Sequence, residues 1–490
     1  MKKLCEKHSL LVGALITLFI AIILSWIFPE AYYSNGKLGL SYAEKFGLFA
    51  STANDTRVGL FDITTYGQLV IYYFTTIFVF AFVVAGFYKL LGSTAAYQKL
   101  TDKLCFSTDN IAKKFEGKEK IFVGIAAFII ACISGVSTEQ FAIFALIPFV
   151  ISILSKLKVD KVSGVTATFG AVLVGILGAT YSVKISGQLA NTSTGLGVSY
   201  GNELLATIIL FVIAYALLMF FTFVRMNKVQ GTKENALIDP FIGEEVKAAN
   251  KKNVKVLPLV VCIIILFVSL ILAYIGWEGA FGVTAFKDAL AWIQDAELFN
   301  SKVYSHILGG TLAAFGSWDL FIGGGLILIA SMVIKFIYRI PFSKVVEEFV
   351  SGFKAIGKPL ALLVAVYTVL EISVIYPRVP GLVSLILGMG TNIATIFISS
   401  ILTTVFAVDF QYVVSLIAGA FSGFSNLNAA AFALQAAYGL VGFIAPTSAI
   451  LVFGLSMFDI SLKEWFKHIW KFLLSLLVVI IIILIILMVI

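Results

Sequence analysis

Lys184 is the residue of this chain whose place most demands chemistry. It lies in Gly178-Ala-Thr-Tyr-Ser-Val-Lys-Ile-Ser-Gly187, inside an apolar run of membrane length. A lysine deep in a span costs roughly 2.5–3.5 kcal/mol on insertion scales, and intramembrane ionisable residues are functional candidates by default. Two roles are open: the ammonium serves a bound ion, or the long stem carries it outward to the interface near 190–195. Thr180, Ser182 and Ser186 add hydroxyls around it. A second apolar run, Ala445–Gly454, is interrupted in the same way by Pro446, Thr447 and Ser448. Proline removes a helix donor and opens the turn. The hydroxyls of both breaks either bind a substrate carboxylate or cation, or re-satisfy their own helix backbone. Helix ends at such breaks carry partial charges of both signs, which can hold the two ends of an amino acid.

Two carboxylates join this set. Glu139 sits in Ser137-Thr138-Glu139-Gln140, and Asp409 sits in Ala407-Val-Asp-Phe-Gln411. A carboxylate buried near the membrane centre either pairs with a cation or takes up a proton, and Lys184 is the nearest candidate partner. Two acids facing one pocket favour a cationic substrate such as arginine or ornithine, or a proton-coupled step. For Asp409 a solvated external loop is the alternative. Asn426 opens the second broken run, either capping it or lining the path. Glu371 and Arg378 read as an interfacial pair or gate. His8, His306 and His468 are scattered, and Cys5, Cys105, Cys132 and Cys262 form no metal or disulfide pattern. No catalytic residue, metal ligand or cofactor is therefore assigned, apart from Na+ or H+ as a coupling ion, and an enzyme is not expected. Gly323-Gly-Gly325 follows no strand and makes no nucleotide motif.

The elements that must position these residues follow from composition. The chain has 490 residues, 60% hydrophobic and 13% charged, with mean hydropathy +1.02. Soluble proteins carry about 25% charged residues, so this is an all-α polytopic membrane protein. The net charge of +8 does not indicate nucleic acid, because the basic residues sit in short loops between apolar runs. Those loops are the N-terminus, 89–120, 156–161, 227–255, 335–358 and 463–471, all cytoplasmic under the positive-inside rule. The stretches 29–66 and 276–302 read as external. The run 10–28 reads as the first span rather than a signal peptide.

Loop charge then constrains topology. Only the short runs 120–133 and 140–155 separate Lys120 from Lys156, and each falls below the ~20 residues a span needs. A re-entrant hairpin over 120–155 is the economical reading, with two short spans as the alternative. A second hairpin over 383–424 enters from outside, its tip near Val408–Gln411. Every other run crosses once, with the N-terminus inside and the C-terminus outside. The halves then match with opposite orientation. Residues 1–226 form a first repeat, with hairpin 120–155 and broken helix 162–190. Residues 227–254 form a cytoplasmic linker, and 255–317 an extra span and external segment. Residues 318–490 form the second, inverted repeat, with hairpin 383–424 and broken helix 427–457. Segments 92–118 and 342–358 look like interfacial amphipathic helices. Paired interruptions in corresponding spans mark the binding site of a secondary transporter built from inverted repeats.

The stretch Leu434–Val452 and the later Ile460-Ser-Leu-Lys-Glu-Trp-Phe-Lys467 resemble the YfcC-like permeases of the ion transporter superfamily. A glutamine and glycines lead there into a Pro-Thr-Ser break. Val346–Lys354 and Ser137–Gln140 are similar to that family too. The resemblance implies a carrier with two re-entrant hairpins and two broken helices. It implies carboxylates or amino acids as substrates, coupling to sodium or protons, and a homodimer. Where that family commonly has Asn-Pro at the first break, this chain has Thr180-Tyr181 and then Lys184. An ammonium in the place of a bound sodium would make transport sodium-independent.

The reading is therefore a secondary active transporter of small organic ions in the cell membrane, with protons coupled or substrates exchanged. Amino acids are preferred, cationic ones slightly. The alternative is a sodium-coupled di- or monocarboxylate carrier. An ion channel is more remote, since no filter element repeats.

Overall fold

The structure, a computed structural model, describes residues 8–34, 37–40, 57–112, 118–229, 236–243, 251, 254–298 and 300–489. Cys5, the N-terminal lysines and much of the 227–254 linker fall outside that set. The described chain is mostly helical, and its one sheet is a small antiparallel pair, Ala31–Ser34 with Lys37–Leu40. Leucine, isoleucine, valine and phenylalanine dominate its helices, and seven are long and apolar enough to cross a membrane. Their outward faces carry large apolar residues such as Leu205, Val212 and Phe220, as a lipid-facing surface requires.

Element ends fall in two layers. One layer gathers the start of Ser9–Ile27, both ends of the stretch 118–156, the end of Leu204–Val229 and the start of Leu462–Val489. Its bonds show this. The Ser9 hydroxyl accepts from Leu462 N at 3.0 Å, Lys120 Nζ donates to Asn227 Oδ1 at 2.5 Å, and Arg225 Nε meets Asp160 Oδ1 at 2.9 Å. Asp102, on the helix Ala95–Ala112, pairs with Lys156 and with Lys251, the latter at 3.0 Å. Burial alone would push the Asp102 carboxyl up, but those two lysines outweigh it and hold it below its ordinary range. The linker latches onto the same layer. Ser155 Oγ donates to Leu237 O at 2.9 Å, and Ser152 Oγ to Asp239 Oδ2 at 2.5 Å.

The opposite layer holds the 31–40 strands, residues 376–378 and the end of Leu462–Val489. Ala31 N donates to Pro377 O at 2.9 Å. Arg378 donates to Phe28 O at 2.8 Å and meets Glu30 Oε1 at 3.4 Å. The sequence reading pairs Arg378 with Glu371; the structure gives it Glu30 instead, because the turn after Ile375 carries it back over the first span.

Each half contains a helical hairpin followed by an interrupted helix. The first hairpin is Lys118–Val136, a turn, the 3-10 helix Gln140–Ala145 and Ile147–Lys156. Its first arm is longer than the apolar run alone suggests, at 19 residues. The first interrupted helix runs from Lys161 to Leu177 through a π turn at Thr166–Gly170, breaks over 178–185, and resumes at Ser186–Ala190. The second hairpin is Ile393–Ala407 and Phe410–Ile417. The second interrupted helix is Leu427–Gly442 and Ala449–Met457.

Two boundaries differ from the sequence reading. The second hairpin does not begin at 383. Val379–Leu387 is a separate helix, ended by Gly388 and by Gly390 at φ +112°. Asn392 then caps the arm, with its Oδ1 accepting from Thr395 N at 3.0 Å. Nor is 342–358 a separate interfacial helix, since Phe342–Ile375 is one helix of 34 residues with Pro359 inside. Its buried stripe Val345, Phe349, Gly352, Ile356, Leu360, Leu363 continues across the proline. That continuity in packing outweighs the one backbone bond lost at Pro359.

The halves press together through small residues. A Cβ on Gly175 would lie 2.3 Å from Ala131 O, and one on Gly439 would lie 2.6 Å from Leu177 Cδ1. The first contact seats the interrupted helix on its own hairpin. The second brings the interrupted helices of the two halves together.

Candidate functional site

The first hairpin's turn is built from hydroxyls. Ser137 Oγ donates to Glu139 O at 2.8 Å and accepts from Glu139 N at 3.2 Å. Thr138 N donates to Tyr274 O at 2.7 Å, and Ser137 bridges Ile275. This leaves Glu139 extended, at φ −147° and ψ 116°, as the cap of the short helix behind it. The first break is stitched to this turn. Thr180 N donates to Gly135 O at 3.3 Å, and Ser182 Oγ to Ser137 O at 2.6 Å. The break thereby aims Lys184 back at the turn, where its Nζ stands 3.3 Å from Glu139 Oε2.

The second hairpin and break are joined in the same manner. Thr447 Oγ1 donates to Val405 O at 2.7 Å, and Tyr438 Oη to Val408 O at 3.2 Å. Val408 holds φ +55°, which is strained for a β-branched residue; such strain persists where surrounding contacts over-determine it. Asp409 caps the following helix, accepting from Gln411 N at 3.0 Å. Pro446 lies in the turn beyond Gly442 and packs on Gly13, where an added Cβ would lie 2.6 Å away.

Two side chains satisfy the carbonyls that the breaks set free. Gln435 Nε2 donates to Leu177 O at 3.0 Å and to Ala179 O at 2.7 Å. Trp465 Nε1 donates to Phe443 O at 2.9 Å. A glutamine of the later interrupted helix thus closes the break of the earlier one.

Between the two turns lies a cavity of about 210 Å³. A single water needs roughly 10–15 Å³, so this is room for a small organic molecule. Glu139, Gln140, Lys184, Asp409 and Ser448 line it, with Tyr367 and Tyr438 among the aromatic walls. Ser448 precedes Ala449–Met457, a helix of nine residues whose first residues also face the cavity. Its leading N–H groups have no partner within the helix.

The remaining sequence candidates lie elsewhere. Ser137, Ser182 and Thr447 hold the walls by bonds to backbone. Thr138 is at the turn but off the lining. Gln411 is exposed. Asn426 caps Leu427–Gly442 through Ala429 N at 3.0 Å and reaches Leu487 O, near the end of Leu462–Val489, at 3.1 Å. It is a cap because the helix must start there, not a lining residue. Gln435, Tyr367 and Tyr438 were not singled out from the sequence as site residues. Gln435 carries a signal, being an amide in the middle of the alanine-rich Leu427–Gly442; the tyrosines carry none.

By class this is an all-α, multi-pass membrane protein of the secondary-transporter kind. The family described as DcuC, C4-dicarboxylate anaerobic carrier, matches residues 8–489, and the chain belongs to it. The resemblance to YfcC-like permeases is thus upheld at the level of secondary carrier, while the matching family is DcuC. No curated protein matches. Among solved structures, the Alcanivorax borkumensis YdaH transporter is similar at 13% identity and TM-score 0.37, covering 98% of this chain and 97% of that one. Neisseria gonorrhoeae MtrF, described with a class of antimetabolite efflux pumps, is similar at 12% identity and TM-score 0.37, covering 98% and 94%. Similarity at that level says nothing further of function.

Proposed function

We propose that the chain is a secondary carrier of four-carbon dicarboxylates, working by alternating access about the cavity between the two turns. The observation that carries this reading is the family match over residues 8–489. It favours the carboxylate alternative over the amino-acid reading. The cavity supports it. Lys184 supplies a cation for one carboxylate, and the leading N–H groups of Ala449–Met457 suit the other, as helix N-termini do for anions. The dianion then spans both repeats and senses their relative position. The two acids need not imply a cationic substrate. Glu139 already has Lys184, and Asp409 already has the N-terminus of its own helix.

In this reading the layer rich in lysine is cytoplasmic by the positive-inside rule. The hairpins are re-entrant from opposite faces, the N-terminus is inside and the C-terminus outside. Counterflow in proteoliposomes tests the substrate class. Labelled succinate should exchange against trapped succinate, with fumarate and malate competing and arginine or ornithine inert. Exchange of arginine with no response to dicarboxylates would reinstate the cationic reading.

A further inference from the structure

We propose that Glu139 carries the coupling proton, and that substrate loads it by taking Lys184 away. The inference rests on the dicarboxylate reading and deepens it. Lys184 Nζ stands 3.3 Å from Glu139 Oε2, with side chains 30% and 22% exposed, so cavity contents reach the pair. The charged groups lining the cavity among the described residues are Lys184, Glu139 and Asp409; phenols of Tyr73, Tyr367 and Tyr438 also line it. Tyr412 lies on the helix behind Asp409, and Tyr274 contributes its backbone to the Glu139 turn.

With both acids ionised these charges sum to one negative (one cation, two anions). A dianion entering that cavity would raise the sum to three negative, in surroundings that screen charge poorly. The two acids differ in their partners. Asp409 accepts from Gln411 N at 3.0 Å at the start of its own helix, a bond that substrate does not disturb. Glu139 has a long 3.5 Å contact from Phe141 N, and beyond it the Lys184 ammonium. When a substrate carboxylate recruits that ammonium, Glu139 faces the dianion and Asp409 without a cation, and it takes up a proton.

The cycle balances. The carrier with its closed Lys184–Glu139 pair binds one dianion and one proton from the same side. The ammonium passes to the substrate and the proton to a Glu139 oxygen. On the other side both leave, and the ion pair re-forms for the empty return. No covalent bond changes.

The test uses proteoliposomes with membrane potential clamped by potassium and valinomycin, at pH 8 inside and 7 outside. One proton per succinate gives about tenfold accumulation for one pH unit, since a unit is 1.36 kcal/mol. Glu139→Gln should accumulate less than twofold, and its counterflow should become flat with pH. Asp409→Asn should be slower yet still respond to the gradient. Unmutated protein gives an independent reading: pyranine in the lumen should report acidification as succinate enters. Absence of acidification, full coupling in Glu139→Gln, loss of coupling only in Asp409→Asn, or uptake driven by sodium alone would each overturn the inference. Absence of succinate counterflow in the unmutated protein would sink the dicarboxylate reading, and this inference with it. Succinate counterflow with coupling intact in Glu139→Gln sinks this inference alone.

Discussion

Gln435 ties the helix Leu427–Gly442 to the break that follows Leu177. Its amide, on a residue 6% exposed, donates to Leu177 O and Ala179 O, two carbonyls that the first break withdraws from helical bonding. A buried polar group left without its partner costs about 1–3 kcal/mol. Replacing Gln435 with Leu strands both carbonyls. The expected result is a destabilisation of about 2–4 kcal/mol, read as a lowered melting temperature of the purified protein. An unchanged melting temperature would mean that water takes over both bonds. Individual chemistry was legible where charge and apolar surroundings conflict. Lys184 and Glu139 stand out in the sequence for that reason, and they meet in the structure. Asn426 and Gln411 shared the polar type but not the conflict. One caps a helix and the other faces outward. The walls formed by Tyr367 and Tyr438 were invisible, because a tyrosine in an apolar run looks like any other core aromatic.

Among elements, the breaks were legible and the helix boundaries less so. Gly178 and Pro446 announce interruptions by backbone chemistry alone. The sequence starts the second hairpin too early because Val379–Leu387 and Ile393–Ala407 are similarly apolar, and only a glycine turn and an asparagine cap separate them. The sequence divides the long helix Phe342–Ile375 at its charged half, since the basic residues of 335–358 suggest an interface. Its buried stripe shows that packing against Thr75–Gly92 decides the matter: a Cβ on Gly352 would lie 2.6 Å from Ala85 carbonyl carbon. Close approach makes two glycines behave oppositely. Gly175→Val should lower the yield of folded protein sharply, because the side chain would collide with Ala131 O and Ser134. Gly357→Ala, in the same long helix and with nothing within 4 Å, should stabilise by about 0.5–1 kcal/mol. Thermal unfolding of both variants checks the pair; equal effects would contradict the packing described.

At the scale of the whole molecule, the alternation of element ends between two layers was readable from loop charge. Basic residues that the positive-inside rule places together also bond within one layer: Lys120 with Asn227, Arg225 with Asp160, and Lys156 and Lys251 with the same Asp102. What sequence alone could not supply is how the halves converge. Gln435, Gly439 and the cavity between the turns exist only once both interrupted helices are packed. Neither half encloses a site by itself, and Lys184 faces across to a wall that the second half supplies. The central claim is that this shared cavity holds the transported dicarboxylate. Ser448 lines it from the second half, opposite in origin to Lys184. The direct measurement is the rate at which a thiol-specific reagent modifies Ser448→Cys, in protein whose native cysteines are replaced by serine. Succinate at about 100 times its Kd leaves roughly 1% of sites free. It should slow modification tenfold or more, while arginine at equal concentration should not. An unchanged rate in a variant that still exchanges succinate would place the substrate elsewhere and contradict the account.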